Sequence, residues 1–130
     1  MDMSSILIMD EDKGHLKQLA EIFIDEGYHV TITDSVASAV CGILKKTAQV
    51  VVLGSKCDDL MAADLVPLMR QCNKNLPIIL IAADASLALL RRLRCEGIFY
   101  HALSPVDSAG REEIRQVVRC AFANLRLNPV

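Results

Sequence analysis

Ile6-Leu7-Ile8-Met9-Asp10-Glu11-Asp12 is the stretch whose reading decides the fold. Four apolar residues in a row, too few for a helix, suit a strand covered on both faces, as in parallel sheets. Three acids follow with no spacer, so this strand empties into a polar mouth. Ligand sites in open parallel sheets lie at such carboxyl ends, between neighbouring strands. A second run, Val50-Val51-Val52-Leu53, has the same character but ends in Gly54. A parallel sheet brings the two strand ends together, one rich in carboxylates and the other with no side chain at all.

Outward from the first strand, Leu16, Leu19, Ala20 and Phe23 recur at the spacing of an amphipathic helix. Gly27 suits a left-handed cap that ends it. Residues 28–33 alternate like a strand, and Asp34 or Ser35 then caps a second helix carrying Val36, Ala39, Val40 and Ile43. Pro67 is tolerated in a first helical turn, where backbone N–H groups have no partner. That predicts an N-cap at Asp64, a third helix over about 65–73 and a long loop over 55–63. Pro77 opens a fourth strand, Ile78-Ile79-Leu80-Ile81, which ends at Ala82-Ala83. Asp84 or Ser86 caps a fourth helix through Leu87, Leu90 and Leu93, stopped by Gly97. Residues 98–103 form a fifth strand, and Ile114, Val117, Val118, Ala121 and Leu125 make the apolar stripe of a last helix. Five strands alternating with five helices predict an α/β fold, a flavodoxin-like, doubly wound (βα)5 domain with strand order 2-1-3-4-5. With no repeat or linker, residues 1–130 read as one domain with its core over about 5–126. An output domain after residue 130 is left open.

Composition narrows the function classes. A chain of 130 residues can bury roughly 65–70% of its unfolded surface in one domain. A hydrophobic content of 52% with a net charge of −2 excludes a disordered acidic or basic tail. No apolar run approaches the roughly 18 residues of a membrane span, and residues 1–5 lack the pattern of a secretory signal. The expectation is a soluble, cytoplasmic domain. Cys41, Cys57, Cys72, Cys95 and Cys120 form no CxxC pair and share no ligand spacing with His15, His29 or His101. They read as small buried hydrophobes in a reducing compartment, with Cys57, in a loop, as the exposed exception. Neither zinc nor haem is expected. A flavodoxin-like cofactor binder is disfavoured, because Asp10-Glu11-Asp12 stands where an anion-binding loop would be needed.

The order of these elements and the residues at their ends resemble the receiver domain of two-component response regulators, over residues 6–122. Residues 6–12 look like that family's opening strand and acidic pair, and Gly27-Tyr28-His29-Val30 looks like its turn into strand two. Leu76-Pro77-Ile78-Ile79-Leu80-Ile81-Ala82-Ala83 looks like its fourth strand, and Ser104-Pro105 falls at its Lys-Pro step. The resemblance implies a phosphoacceptor Asp at the end of strand three and an acidic pair holding Mg²⁺. It also implies a Thr or Ser after strand four, a Lys after strand five and an aromatic switch residue on strand five. Here the acidic pair is Asp10 and Glu11, the acceptor position is Gly54, the hydroxyl position is Ala82 and the lysine position is Ser104. The switch position falls on His101, with Tyr100 one residue earlier and pointing to the other face. Three groups that handle phosphate are thus absent, which predicts a pseudo-receiver: no aspartyl phosphorylation, no catalytic turnover and no cofactor. Mg²⁺ prefers near-octahedral oxygen ligands, so Asp10 and Glu11 would hold it weakly at most. The two acids are equally suited to capping the first helix. The alternative is a divergent receiver phosphorylated at an atypical residue. Asp58 or Asp59 would be the candidates, four and five residues beyond Gly54, where a loop spoils in-line geometry.

Charge is divided along the chain. Residues 1–65 carry eleven acids against five lysines, and residues 66–130 carry five acids against nine Lys or Arg, giving −6 and +4. Arg91, Arg92 and Arg94 fall on the fourth helix, and Arg111, Arg115 and Arg119 form an i, i+4, i+8 ridge on the fifth. In the family, the face of helix four, strand five and helix five is the usual docking surface. The expected partner is an acidic protein, gripped by Arg91, Arg94, Arg111, Arg115 and Arg119. Nucleic acid is unlikely for a mildly acidic domain without a helix-turn-helix or stacking aromatics. A monomer or weak dimer is expected, since a two-fold axis through this face would set arginines against arginines.

Overall fold

The computed structural model describes residues 4–54, 56–57, 60–82, 87–102 and 108–127. Its elements are β1 (Ser5–Met9), α1 (Lys13–Asp25), β2 (His29–Thr33), α2 (Val36–Leu44), β3 (Val50–Leu53), β4 (Lys56–Cys57), β5 (Leu60–Met61), α3 (Ala62–Cys72), β6 (Ile78–Ile81), α4 (Leu87–Glu96), β7 (Tyr100–Ala102) and α5 (Ser108–Leu127). The main sheet is parallel, in the order β2-β1-β3-β6-β7. With the short β4–β5 hairpin set aside, this is the doubly wound 2-1-3-4-5 order that the sequence predicts.

Strand alternation divides the core into two layers. Ile6, Ile8, Val50, Val52, Ile79 and Ile81 pack with Leu19, Phe23, Ile114 and Val118 of α1 and α5. Leu7, Met9, Val51, Leu53, Ile78 and Leu80 pack with Ile43, Leu65, Met69 and Leu93 of α2, α3 and α4. The three central strands therefore need apolar side chains at every position. Tyr28 joins the first layer, meeting Phe23 edge-on and stacking on Phe122 with centroids 5.1 Å apart.

The helix ends follow local chemistry. Ser35 caps α2 by accepting from the Ser38 N–H, and Gly27 and Gly97 take φ values of +91° and +96° just past α1 and α4. The third helix departs from expectation. It begins at Ala62 with extended Met61 as N-cap, three residues before the predicted start, and Asp64 lies inside its first turn. There Asp64 faces the positive end of the helix dipole without capping it. Pro67 sits in the second turn, and the predicted loop carries the β4–β5 hairpin.

Four of the five cysteines reverse their predicted exposures, while Cys72 is half-buried against the second core layer. Cys57 is fully buried in the second core layer, because the hairpin folds it inward, whereas Cys41, Cys95 and Cys120 lie on outer helix faces. The predicted caps of α4 (Asp84 or Ser86), together with Ser55, Asp58, Asp59 and the Ser104-Pro105 step, lie outside the described residues.

Arg70 joins α3 to the end of α4. Its Nη1 donates to the carbonyls of Lys74 and Leu76 at 2.8 and 2.7 Å, and its Nη2 to that of Gly97 at 2.5 Å. Burial lowers its pKa from the ordinary arginine value. Replacing Arg70 with Ala should cost about 1–3 kcal/mol, since two of the three carbonyls remain open to water. Arg70→Lys should recover only part of that, because one ammonium cannot reproduce the planar fork. Urea denaturation of the three proteins measures both.

Candidate functional site

The β1–β3 register sets Met9 opposite Leu53, so the next residues, Asp10 and Gly54, meet across the mouth of the sheet. Backbone bonds fix both: Gly54 N–H donates to the Met9 carbonyl at 2.8 Å, and Asp10 N–H to that of Thr33 at 3.2 Å. Asp10 is the single buried charged residue among the described residues, 5% exposed. A buried carboxylate is tolerated when its oxygens are bonded. Oδ1 of Asp10 accepts from the Asp12 N–H at 3.1 Å, and Oδ2 lies 2.5 Å from Nδ1 of His15.

The first turn of α1 brings His15 there. Asp12 is the N-cap, and its Oδ1 accepts from the His15 N–H at 3.2 Å. The expectation that Asp10 or Glu11 might cap this helix is therefore corrected. Asp12 takes that role, since the backbone turns helical only after it. His15 carries no ligand spacing and was passed over in the sequence. The available signal was its position on the third residue after a capping Asp, within reach of the strand end. Glu11 points elsewhere. Its N–H donates to the Lys56 carbonyl at 3.1 Å, and its carboxylate lies 3.9 Å from Lys56 Nζ, at a largely solvated position.

Gly54 is buried, and the space its side chain would need is taken. A Cβ there would lie 2.9 Å from Asp10 Oδ1 and closer still to Asp10 Oδ2 and its carboxyl carbon. The arrangement does not fit Mg²⁺. Both Asp10 oxygens are engaged, Glu11 faces Lys56, and the described residues contain no group of three or more His, Cys, Asp or Glu placed to hold a metal ion. Ala82, at the end of β6, is buried and offers only backbone groups: its N–H donates to the Ala102 carbonyl, and its carbonyl lies 3.3 Å from His101 Nε2.

On edge strand β7, Tyr100 and His101 point to opposite faces, as expected. Tyr100 pairs in register with Ile79 of the α1/α5 layer and His101 with Leu80 of the other. The Tyr100 hydroxyl donates to Glu113 Oε2 at 3.2 Å, and an open cleft beside it is lined by Arg94, Phe99, Tyr100 and His101. Arg91 and Arg94 are exposed on α4.

The arginine ridge on α5 lies beside α1. With Ile114, Val118 and Ala121 buried, Glu113 falls on the flank toward β7, and Arg115 and Arg119 on the flank toward α1. Arg115 Nε lies 3.3 Å from Glu26 Oε1, and Arg119 Nη2 lies 2.9 Å from Glu26 Oε2, at the end of α1. Both also approach Glu112. The hydrogen bond to Glu26 and its charge raise the Arg119 pKa. Arg111 is exposed one turn earlier. Arg115 and Arg119 thus secure α5 to α1 and are not part of one face with Arg91 and Arg94.

Comparison with known proteins places this geometry. No family model matches the chain. It is 24% identical over 102 residues to the transcriptional regulatory protein GlrR of Escherichia coli (strain K12), covering 78% of this chain and 23% of that protein. It is 25% identical over 114 residues to sporulation initiation phosphotransferase F of Bacillus subtilis (strain 168), covering 88% of this chain and 90% of that one. A crystal structure of a response regulator receiver domain protein (CheY-like) from Methanospirillum hungatei JF-1 superimposes with a TM-score of 0.84 at 19% identity, covering 98% of this chain and all of the other. The fold is that of response regulator receiver (CheY-like) domains, and in sequence the chain is similar to these two regulatory proteins. It spans 23% of the length of GlrR and also of QseF from Escherichia coli O157:H7. No helix among the described residues is long and apolar enough to cross a membrane.

The Tyr100–Glu113 pair makes a titration test of the β7 edge. The charge of Glu113, and then its hydrogen bond with the phenol, raise the Tyr100 pKa above its ordinary 10.0, because ionisation would set two anions together. The hydrogen bond is therefore present below that raised pKa and is lost as pH climbs through it. In a near-ultraviolet absorbance titration, Glu113→Gln should move one of the two tyrosine transitions to lower pH and leave that of Tyr28 in place.

Proposed function

We propose that this receiver domain works as a pseudo-receiver: it takes no phosphoryl group at the end of β3 and acts by binding a protein partner. One observation carries the reading. Gly54 follows β3 directly, at the position where the nucleophile would be, and the Asp10 carboxylate stands where that side chain would be. Glycine offers no oxygen for attack, and Ala82 offers no hydroxyl for a phosphoryl group. Both Asp10 oxygens already have partners within the chain, which leaves that carboxylate poorly placed to take up the cation that the chemistry would use. Nothing in this reading requires turnover, and a cytoplasmic location suits a partner in two-component signalling.

For the partner, the α4–β7 edge is the better candidate. Arg91 and Arg94 are exposed there, and Arg94 shares a cleft with Tyr100 and His101, an arrangement suited to an acidic side chain. Arg115 and Arg119 are occupied by Glu26, so their release would oppose docking. Nucleic acid remains the weaker option, since these arginines are interspersed with Glu112 and Glu113.

Incubation with a small phosphodonor and Mg²⁺ followed by intact-mass measurement should return the unmodified mass. A stoichiometric acid-labile adduct would instead establish the alternative, a divergent receiver phosphorylated at an atypical residue. Binding should separate the two arginine sets. Arg91→Glu/Arg94→Glu should abolish capture of an acidic partner, whereas Arg115→Glu/Arg119→Glu should retain capture and lower the unfolding midpoint. Equal capture by wild type and the α4 variant would exclude that edge.

A further inference from the structure

Glycine is commonly needed where backbone conformation forbids a side chain, but Gly54 is not such a case. Positive φ belongs to Gly27 and Gly97 among the described glycines, and Gly54 does not share it. What excludes a side chain at residue 54 is space, and one side chain occupies that space: all three close approaches to a Cβ there come from the Asp10 carboxyl group. Such a contact is relieved only if the carboxylate swings aside. Swinging aside breaks the bonds to the Asp12 N–H and to His15 Nδ1, leaving a buried carboxylate without its partners.

We propose that Asp10, His15 and Gly54 form an internal lock that closes the acceptor position from within. Asp10 fills the volume of the missing residue-54 side chain. His15, 14% exposed and one turn into α1, supplies the ring nitrogen that holds the carboxylate there. The lock deepens the reading of this pocket as phosphate-free and rests on it, but it makes a separate claim. Restoring an aspartate at residue 54 does not restore an acceptor, because the space and the His15 ring nitrogen are both already committed to Asp10. The mouth of the sheet is closed by its own residues, so its conformation is independent of divalent cations and phosphodonors.

A double-mutant cycle tests the coupling. Gly54→Ala should lower the urea midpoint of the otherwise wild-type domain, and the same change made on Asp10→Ala should leave that background's midpoint unmoved. An equal loss in both backgrounds, or no loss in the first, overturns the lock. Should Asp10→Ala not fold, the ring nitrogens of His15 report instead by NMR. Gly54→Ala should abolish the hydrogen-bonded Nδ1 signal, and an unchanged signal overturns the proposal. Gly54→Asp incubated with acetyl phosphate and Mg²⁺ separates the two claims. A phosphorylated Gly54→Asp beside an unmodified wild type overturns the lock alone, whereas a phosphorylated wild type overturns the phosphate-free reading.

Discussion

The pairing of β1 with β3, each covered on both faces, is the constraint on which the rest depends. Ile6, Leu7, Ile8 and Met9 are matched one for one with Val50, Val51, Val52 and Leu53, all buried. A slip of one residue would exchange the two core layers at every position, so the register is strongly fixed. Because it is fixed, the residues just past the strands have no latitude either. Asp10 must meet Gly54, at the level where β2 and β6 also end. The chemistry of the mouth follows from a packing decision made several residues earlier.

Charge is distributed by the same logic. The apolar stripe of α5 sets its rotation, and that rotation sends Glu113 toward β7 and Arg115 and Arg119 toward α1. A row of arginines that looks like a recognition surface in one dimension becomes, in three, a fastening between the two helices of one layer. The exposed arginines of α4 are left beside the β7 edge, with a tyrosine, a histidine and an open cleft around them. Surface ion pairs of this kind add little stability individually, about 0–1 kcal/mol.

The fold was legible in the sequence because its signals were local and repeated. Continuous apolar runs, helical periods and the Gly27 and Gly97 stops all agreed with one another. The start of α3 is not legible in the sequence because Pro67 suits a first turn, whereas tertiary packing of Ala62, Leu65 and Val66 draws the helix three residues further back. The hairpin has two-residue strands too short to show a period, so neither it nor the burial of Cys57 is legible either. At the site, the residues of the strand ends could be named from their order alone. The His15–Asp10 pair could not, since it joins a loop residue to a helix residue five positions on and follows no ligand motif. Which flank of α5 carries its arginines was likewise invisible, because the ridge spacing does not say which neighbour it meets.

The β4–β5 hairpin has a mechanical consequence. Met61 is both its last strand residue and the N-cap of α3, so no linker separates the two. At its other end, the hairpin is tied to the β1–α1 turn through the Glu11 N–H and the Lys56 carbonyl, and Cys57 is seated in the core. The β1–α1 turn is thereby bonded to β4, β5 runs directly into α3, and Arg70 joins α3 to the Gly97 carbonyl just past α4.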